Sequence, residues 1–243
     1  MRVVLVHPTG SNWIPGRKDL TVTINRMVPI GLLSMAAYLE ANGVEVLVHD
    51  CLGPGAPGDV DANVAKILSL EPGLVGFSTT TSGFLDAYQT ARKLREARPT
   101  LENVFGGIHV SGVGAQLMER FPEIDYLVLG EGEVTLLELA RGESPGTIQG
   151  LVWRDGEELV VNPPRGLVRD LDSLPYPAYQ KLQGFPRGYR LPPFNYIRTP
   201  GTAISTSRGC VYECSYLSLI HISEPHETND LISYAVLCLK IGG

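Results

Sequence analysis

The chain has 243 residues, 44% of them apolar, and a formal net charge of −6. That length fits one or two domains with a packed core, and an acidic balance with no basic cluster longer than Arg17-Lys18 leaves nucleic-acid binding without an electrostatic footprint. No apolar run approaches the roughly 18 residues of a membrane span, the apolar part of Met1–Pro8 is too short for a signal peptide, and the four cysteines do not make a secreted disulfide framework, so a reducing cytoplasm is the default setting.

Residues 1–142 alternate between strand and helix signals. Val3–Val6 is a short apolar run ended by His7-Pro8, which suits a strand buried on both faces. After a polar loop, Pro29 opens a helix with Ile30, Leu33, Ala37 and Tyr38 on one face, and Gly43 closes it. Val44–Val48 is the second strand. Asp59 or Asp61 caps the next helix, which carries Val60, Val64, Ile67 and Leu68 and stops at Pro72-Gly73. Leu74–Phe77 is the third strand. Phe84, Ala87, Tyr88, Ala91 and Leu94 make a helical stripe that ends near Pro99. Asn103–Phe105 is the fourth strand, followed by a glycine-rich loop over 106–112 and a short helix ending near Phe121-Pro122. Tyr126–Leu129 is the fifth, and Gly130-Glu131-Gly132-Glu133 leads into a helix with Leu136, Leu137 and Ala140.

Five strand–helix units predict an α/β fold with a doubly wound, five-stranded parallel sheet, flavodoxin-like or Rossmann-like. Right-handed crossovers gather the loops after the strands on one edge, where ligands bind. Those loops are 8–28, 78–83, 106–112 and 130–133. Residues 143–201 differ. Ile148–Trp153 and Glu158–Val161 around Asp155-Gly156 read as a β-hairpin. A linker rich in Pro, Gly and Tyr follows, with Leu174-Pro175-Tyr176-Pro177-Ala178-Tyr179 as its stiffest stretch. Ala203–Ser207 then reads as the opening strand of a new domain over 202–216.

Cys210 and Cys214 sit four apart, next to Tyr216. A third cysteine at 217 would complete a run able to hold three irons of a four-iron cluster and leave one open, but position 217 is Leu. A zinc site from Cys210, Cys214, His221 and His226 fails on spacing, because six residues separate Cys214 from His221 where a finger needs about twelve. A nucleotide site is weak too: Gly112-Val113-Gly114 lacks the third glycine and does not follow the first strand. Cys51 reads as a buried thiol.

Four landmarks in order carry a family resemblance: Pro29-Ile30-Gly31-Leu32-Leu33 with Ala36-Ala37-Tyr38-Leu39, then Gly106-Gly107-Ile108-His109, then Gly130-Glu131-Gly132-Glu133, then the Cys210/Cys214 motif. With them, residues 1–216 resemble the front of a cobalamin-dependent radical S-adenosylmethionine (radical SAM) protein. The resemblance implies a cobalamin-binding domain over 1–142 and a truncated start of a radical SAM barrel at 202–216. It implies cobalamin as cofactor, and in the parent enzyme a [4Fe-4S] cluster with S-adenosylmethionine. The parent would transfer a methyl group to an unactivated carbon, or rearrange it, on a small-molecule or lipid-like substrate.

Carried onto this sequence, the resemblance implies that Gly106 and Gly107 let backbone approach the corrin and its nucleotide tail. Ser78, Thr79, Thr80 and Thr81 would offer hydroxyls, and His109 would sit near the corrin or else be a loop histidine bonded to backbone. Gly130, Glu131, Gly132 and Glu133 would belong to the cofactor site, the two acids alternatively being helix N-terminal charges that complement the dipole. Cys210 and Cys214 would be metal ligands, and Tyr216 would lie beside adenine. The Asp-x-His-x-x-Gly pattern of many cobalamin domains is absent, since His7 lacks an Asp two residues before it. The expectation is therefore that no protein histidine ligates cobalt from that loop. Residues 217–243 resemble a translated sequencing-adapter tail, which makes this chain an inactive fragment with Cys as the native residue at 217. A non-catalytic cobalamin-binding or sensory module is the second reading.

Overall fold

Val3, Val4, Leu5 and Val6 present no polar side chain to water, and all four are buried in the computed structural model, which describes residues 1–10, 26–189 and 200–209. They lie in β1 (Arg2–His7), which pairs in parallel with β2 (Glu45–Asp50) on one side and β3 (Leu74–Ser78) on the other. β4 (Glu102–Gly106) and β5 (Tyr126–Val128) continue the parallel series. The predicted five parallel strands are thus present. The hairpin is not a separate unit: β6 (Leu151–Asp155) pairs antiparallel with β5, and β7 (Glu158–Val161) pairs antiparallel with β6. Among the described residues one seven-stranded mixed sheet results, in the order β2-β1-β3-β4-β5-β6-β7. Strand order reverses between β1 and β3, so the crevice expected of a doubly wound sheet opens there.

The two-residue period of the strands sorts the core into two layers. Leu5, Val46, Val104 and Val128 pack under α1 (Ile30–Ala41) and α6 (Glu133–Ala140). Val4, Val6, Phe77, Phe105 and Leu127 form the opposite layer. That layer is covered by α2 (Val60–Ser69), α3 (Phe84–Ala97), α4 (Ile108–Val113) and α5 (Gln116–Arg120). Phe77 and Phe105 stack with centroids 4.8 Å apart. Burying each ring is worth roughly 1.5–3 kcal/mol, and the pair holds the ends of β3 and β4 level. Asp59 caps α2, its carboxylate accepting from the Ala62 amide at 2.8 Å.

Three local expectations change. The α1 stripe of Ile30, Leu33, Ala37 and Tyr38 omits Leu32, Ala36 and Leu39, which are also buried. This helix is covered twice, by the sheet and by linker residues Leu182 and Tyr189 that pack on Leu33, so no single stripe describes it. The loop predicted over 106–112 is already helical from Ile108. Ala203–Ser207 forms no strand, because the segment lies over the crevice rather than along a sheet edge. Cys210, Cys214, Tyr216, Leu217 and the tail 217–243 lie outside the described residues.

His49 is buried at the end of β2, and its Nε2 meets Asn63 Oδ1 at 2.7 Å. Asn63 donates its amide hydrogens to the Pro57 and Asp59 carbonyls, so Oδ1 must accept and neutral His49 carries its proton on Nε2. Burial holds the His49 pKa below its ordinary 6.5. The unfolded chain therefore takes up this proton first as pH falls. The stabilisation is whole above the unfolded value and is lost on acidification through it, until folded His49 also titrates. The melting temperature is expected to fall between about pH 7.5 and about pH 5.5, and less so in His49→Gln. His109 shifts the same way, so the variant flattens the profile without levelling it. An identical slope in variant and parent would exclude His49 as a source.

Candidate functional site

The C-terminal ends of β1, β3, β4 and β5 and the N-terminal turns of α1 and α6 enclose a crevice of about 470 Å³. Its floor is the sheet: Leu5, Gly76, Val104 and Val128. Gly76 keeps that floor low, since a Cβ there would come within 2.9 Å of Leu5 Cδ2. One wall is α1, contributing Gly31, Ser34 and Met35, and a Cβ on Gly31 would meet no atom within 4 Å. The rim is made of Ser78, Gly106, Gly107 and the run Gly130–Glu133. Ser205 and Arg208 close the remaining side. The lining is thus mostly apolar and glycine-rich with a few polar groups at the mouth, the usual make-up of a cofactor pocket.

Of the predicted site residues, Ser78, Gly106, Gly107, Gly130, Glu131, Gly132 and Glu133 line this crevice. Thr79, Thr80 and His109 are not among its lining residues. Thr79 is 1% exposed, and both its amide and its hydroxyl donate to the Gly106 carbonyl, at 2.9 and 3.1 Å. Thr80 Oγ1 pairs with Ser82 Oγ at 3.1 Å. His109 Nδ1 lies 3.2 Å from Thr81 Oγ1, its ring packs 4.7 Å from that of Phe84, and burial holds its pKa below the ordinary value. The sequence assigns no site role to Gly76, Met35, Ser205 or Arg208, and Gly31 stands only in a family landmark. Gly31 and Gly76 did carry a signal: a glycine inside a helix or strand pattern often marks a close approach of backbone to a ligand.

Gly107 joins the β3 and β4 loops. It has φ +98° and ψ −179°, and the His109 amide donates to the Thr79 carbonyl at 3.3 Å across it. The two acids are spoken for by protein. Arg208 Nη2 donates to Glu133 Oε1, Arg208 Nη1 lies 3.2 Å from Glu131 Oε1, and the Val168 amide donates to Glu131 Oε2 at 2.7 Å. Burial opposes the charge on Arg208, but Glu133 and Glu131 outweigh it and raise its pKa.

A second polar cluster lies at the ends of β1 and β2. Asp50 Oδ1 is 2.9 Å from His7 Nδ1, and Asp50 Oδ2 accepts from the Tyr189 hydroxyl at 2.9 Å. His7 thus has a carboxylate partner supplied by the neighbouring strand rather than by its own loop, yet it does not line the crevice. A further crevice of about 460 Å³ lies beyond the edge strand β2. It holds none of the predicted residues and is away from the reversal of strand order. Cys51 is buried, and burial pushes its thiol up to about 12, so it is no ready thiolate. Among the described residues no group of three or more His, Cys, Asp or Glu side chains is placed to hold a metal ion, and no helix is long and apolar enough to cross a membrane.

A family model for the B12 binding domain matches residues 17–140. An uncharacterized methyltransferase of Pyrococcus horikoshii is 30% identical over 197 residues, which cover 78% of this chain and 40% of that protein. The anaerobic magnesium-protoporphyrin IX monomethyl ester cyclase of Cereibacter sphaeroides is 30% identical over 241 residues, covering 90% of this chain and 35% of the cyclase. The structure of the radical S-adenosylmethionine methyltransferase TsrM from Kitasatospora setae, with cobalamin and a four-iron, four-sulfur cluster bound, aligns with a TM-score of 0.52 at 25% identity. That alignment covers 72% of this chain and 31% of TsrM. The chain therefore spans about two fifths or less of the length of these relatives.

Proposed function

Because the chain belongs to the B12-binding domain family, we propose that it binds cobalamin at the C-terminal edge of the sheet, with the cofactor's nucleotide tail in the crevice under α1. One observation carries this reading: the fold leaves about 470 Å³ open where strand order reverses, walled by glycines and lying almost wholly within the matched residues. The residues present fit such a group. An added Cβ at Gly31 would point into unfilled space, and the apolar floor suits the faces of an aromatic base. Ser78, Gly106, Gly107 and Gly130 would hold the cofactor at the rim, and Leu5, Gly76, Val104 and Met35 would exclude water from the tail. His109 stays at the outer rim, beside the corrin rather than in the crevice.

The parent enzyme of such a chain is a cobalamin-binding radical SAM protein that methylates or rearranges an unactivated carbon of a small-molecule or lipid-like substrate. The names of its relatives include a methyltransferase and a cyclase. Bound cobalamin supplies a carrier for a methyl group. The cluster fits this chain poorly. Cys210 and Cys214 give two sulfur donors, position 217 is Leu, and Cys51 is enclosed in the core, so the motif offers one thiolate fewer than such a cluster site needs.

The test is a titration of the purified chain with hydroxocobalamin, followed by its visible absorbance. Saturable one-to-one binding is expected. The reduced cobalt(II) form should show no nitrogen splitting from His7 in its electron paramagnetic resonance spectrum, because His7 lies outside the crevice lining. Unchanged spectra up to millimolar cofactor (about 4 kcal/mol of binding) would remove the proposal.

A further inference from the structure

The two acids of Gly130-Glu131-Gly132-Glu133 lie in the crevice rim, where a cofactor ligand is expected, yet their carboxylates are directed at Arg208, 75 residues beyond Glu133. We infer that Glu131 and Glu133 are positioning residues: they latch Arg208, and through it residues 200–209, as the movable wall of the cobalamin crevice. The inference rests on the crevice being the cofactor site. Four observations support it. Glu133's side chain is only 7% exposed, so its charge needs a partner, and Arg208 is that partner. Glu131 holds Arg208 with one oxygen and the Val168 amide with the other, so a single carboxylate ties the linker and the wall together. Arg208 and Ser205 both line the crevice. The segment is held by side-chain contacts rather than by a strand or helix of its own. The Tyr179 hydroxyl donates to the Ala203 carbonyl at 2.6 Å, and residues 201–208 lack regular secondary structure.

The consequence is reciprocal. A cofactor that fills the crevice touches the wall, so latching must strengthen binding by the same factor by which binding strengthens latching. Arg208 also stands two residues before Cys210, so the latch ties the approach to the cysteine motif to the state of the crevice.

Two measurements test this on the whole chain. The first needs no cofactor. Trypsin must extract the Arg208 side chain to cut before Gly209, and the latch withholds it. In Glu131→Gln/Glu133→Gln, cleavage after Arg208 is expected to rise about tenfold or more relative to cleavage after exposed Arg187. The second is a mutant cycle on hydroxocobalamin affinity. Arg208→Gln is expected to weaken binding about tenfold, and adding both Gln substitutions should weaken it no further. The triple variant should also melt higher than Arg208→Gln alone, which leaves two carboxylates facing each other. Unchanged trypsin cleavage in the double variant overturns the latch. So does additivity in the cycle, since acids that touch the cofactor directly would keep their effect without Arg208. If the parent chain binds no cobalamin, the proposed function falls and the trypsin result still decides the latch.

Discussion

Replacing Gly31 by Trp is expected to weaken cobalamin binding by about 100-fold or more, roughly 2.7 kcal/mol, with no loss of fold stability. Gly31 lies in the first turn of α1, lines the crevice, and has no atom within 4 Å of the position a Cβ would take. The backbone there is ordinary helix, so a larger residue meets no strain. Helical glycine costs roughly 0.5–1 kcal/mol against alanine, so the variant should melt at the same temperature as the parent or slightly above it. The indole would occupy the space assigned to the nucleotide tail. Gly31→Ala is the control: one methyl group leaves most of the crevice open, and binding should stay within a few-fold of the parent. Absorbance titrations and melting curves on the three proteins settle the matter. Tight binding by a well-folded Gly31→Trp would mean that the cofactor sits elsewhere.

Adjacent glycines at the rim are expected to respond in opposite ways. Gly107→Ala should destabilise the fold by roughly 3 kcal/mol or more, in the range reserved for a small set of severe mechanisms. Its Cβ would lie 2.6 Å from the Thr79 carbonyl oxygen and 2.7 Å from the Thr79 nitrogen. Those are backbone atoms held by the Thr79–Gly106 and His109–Thr79 hydrogen bonds, so they cannot swing away. The φ of +98° adds backbone strain of about 1–3 kcal/mol for any L side chain. Gly106→Ala meets nothing closer than Val128 at 3.8 Å, which is ordinary contact, and should cost about 1 kcal/mol or less. Urea denaturation of both variants measures the difference. Equal stabilities would show that the loop junction yields more easily than its geometry implies.

The parallel part of the fold was legible because its strands and helices are local statements. Val3–Val6 or Leu74–Phe77 announces a buried strand by composition alone, and Asp59 announces a helix start by its side chain. Strand pairing across the chain is not local. The hairpin was readable from Asp155-Gly156, but nothing in residues 148–161 says that β5 leaves an edge open for β6. The same limit governed the site. Gly106, Gly107 and Gly130–Glu133 are motif residues and were found, whereas Gly76 was hidden inside a strand pattern that already explained it, and Gly31 stood in a landmark whose helix accounted for it. The role of Glu131 and Glu133 depends on Arg208, and no spacing rule links an acid to a base 75 positions away. Thr79 and His109 show the converse. Both are polar and lie in the expected loops, but one is spent on the Gly106 carbonyl and the other leans on Phe84.

The antiparallel addition to the sheet has a directional effect. One antiparallel strand alone would leave the polypeptide at the bottom of the sheet, opposite the ligand side. Two such strands restore the heading, and after Val161 the backbone emerges level with the ends of β1 and β3. From there Pro163 meets Gly150, Arg165 reaches Thr135 and Val168 reaches Glu131, a path that climbs along α6 to the crevice mouth. An even number of reversals thus delivers the segment at 200–209 to the crevice mouth. Adding or deleting a single strand here would send it to the wrong side.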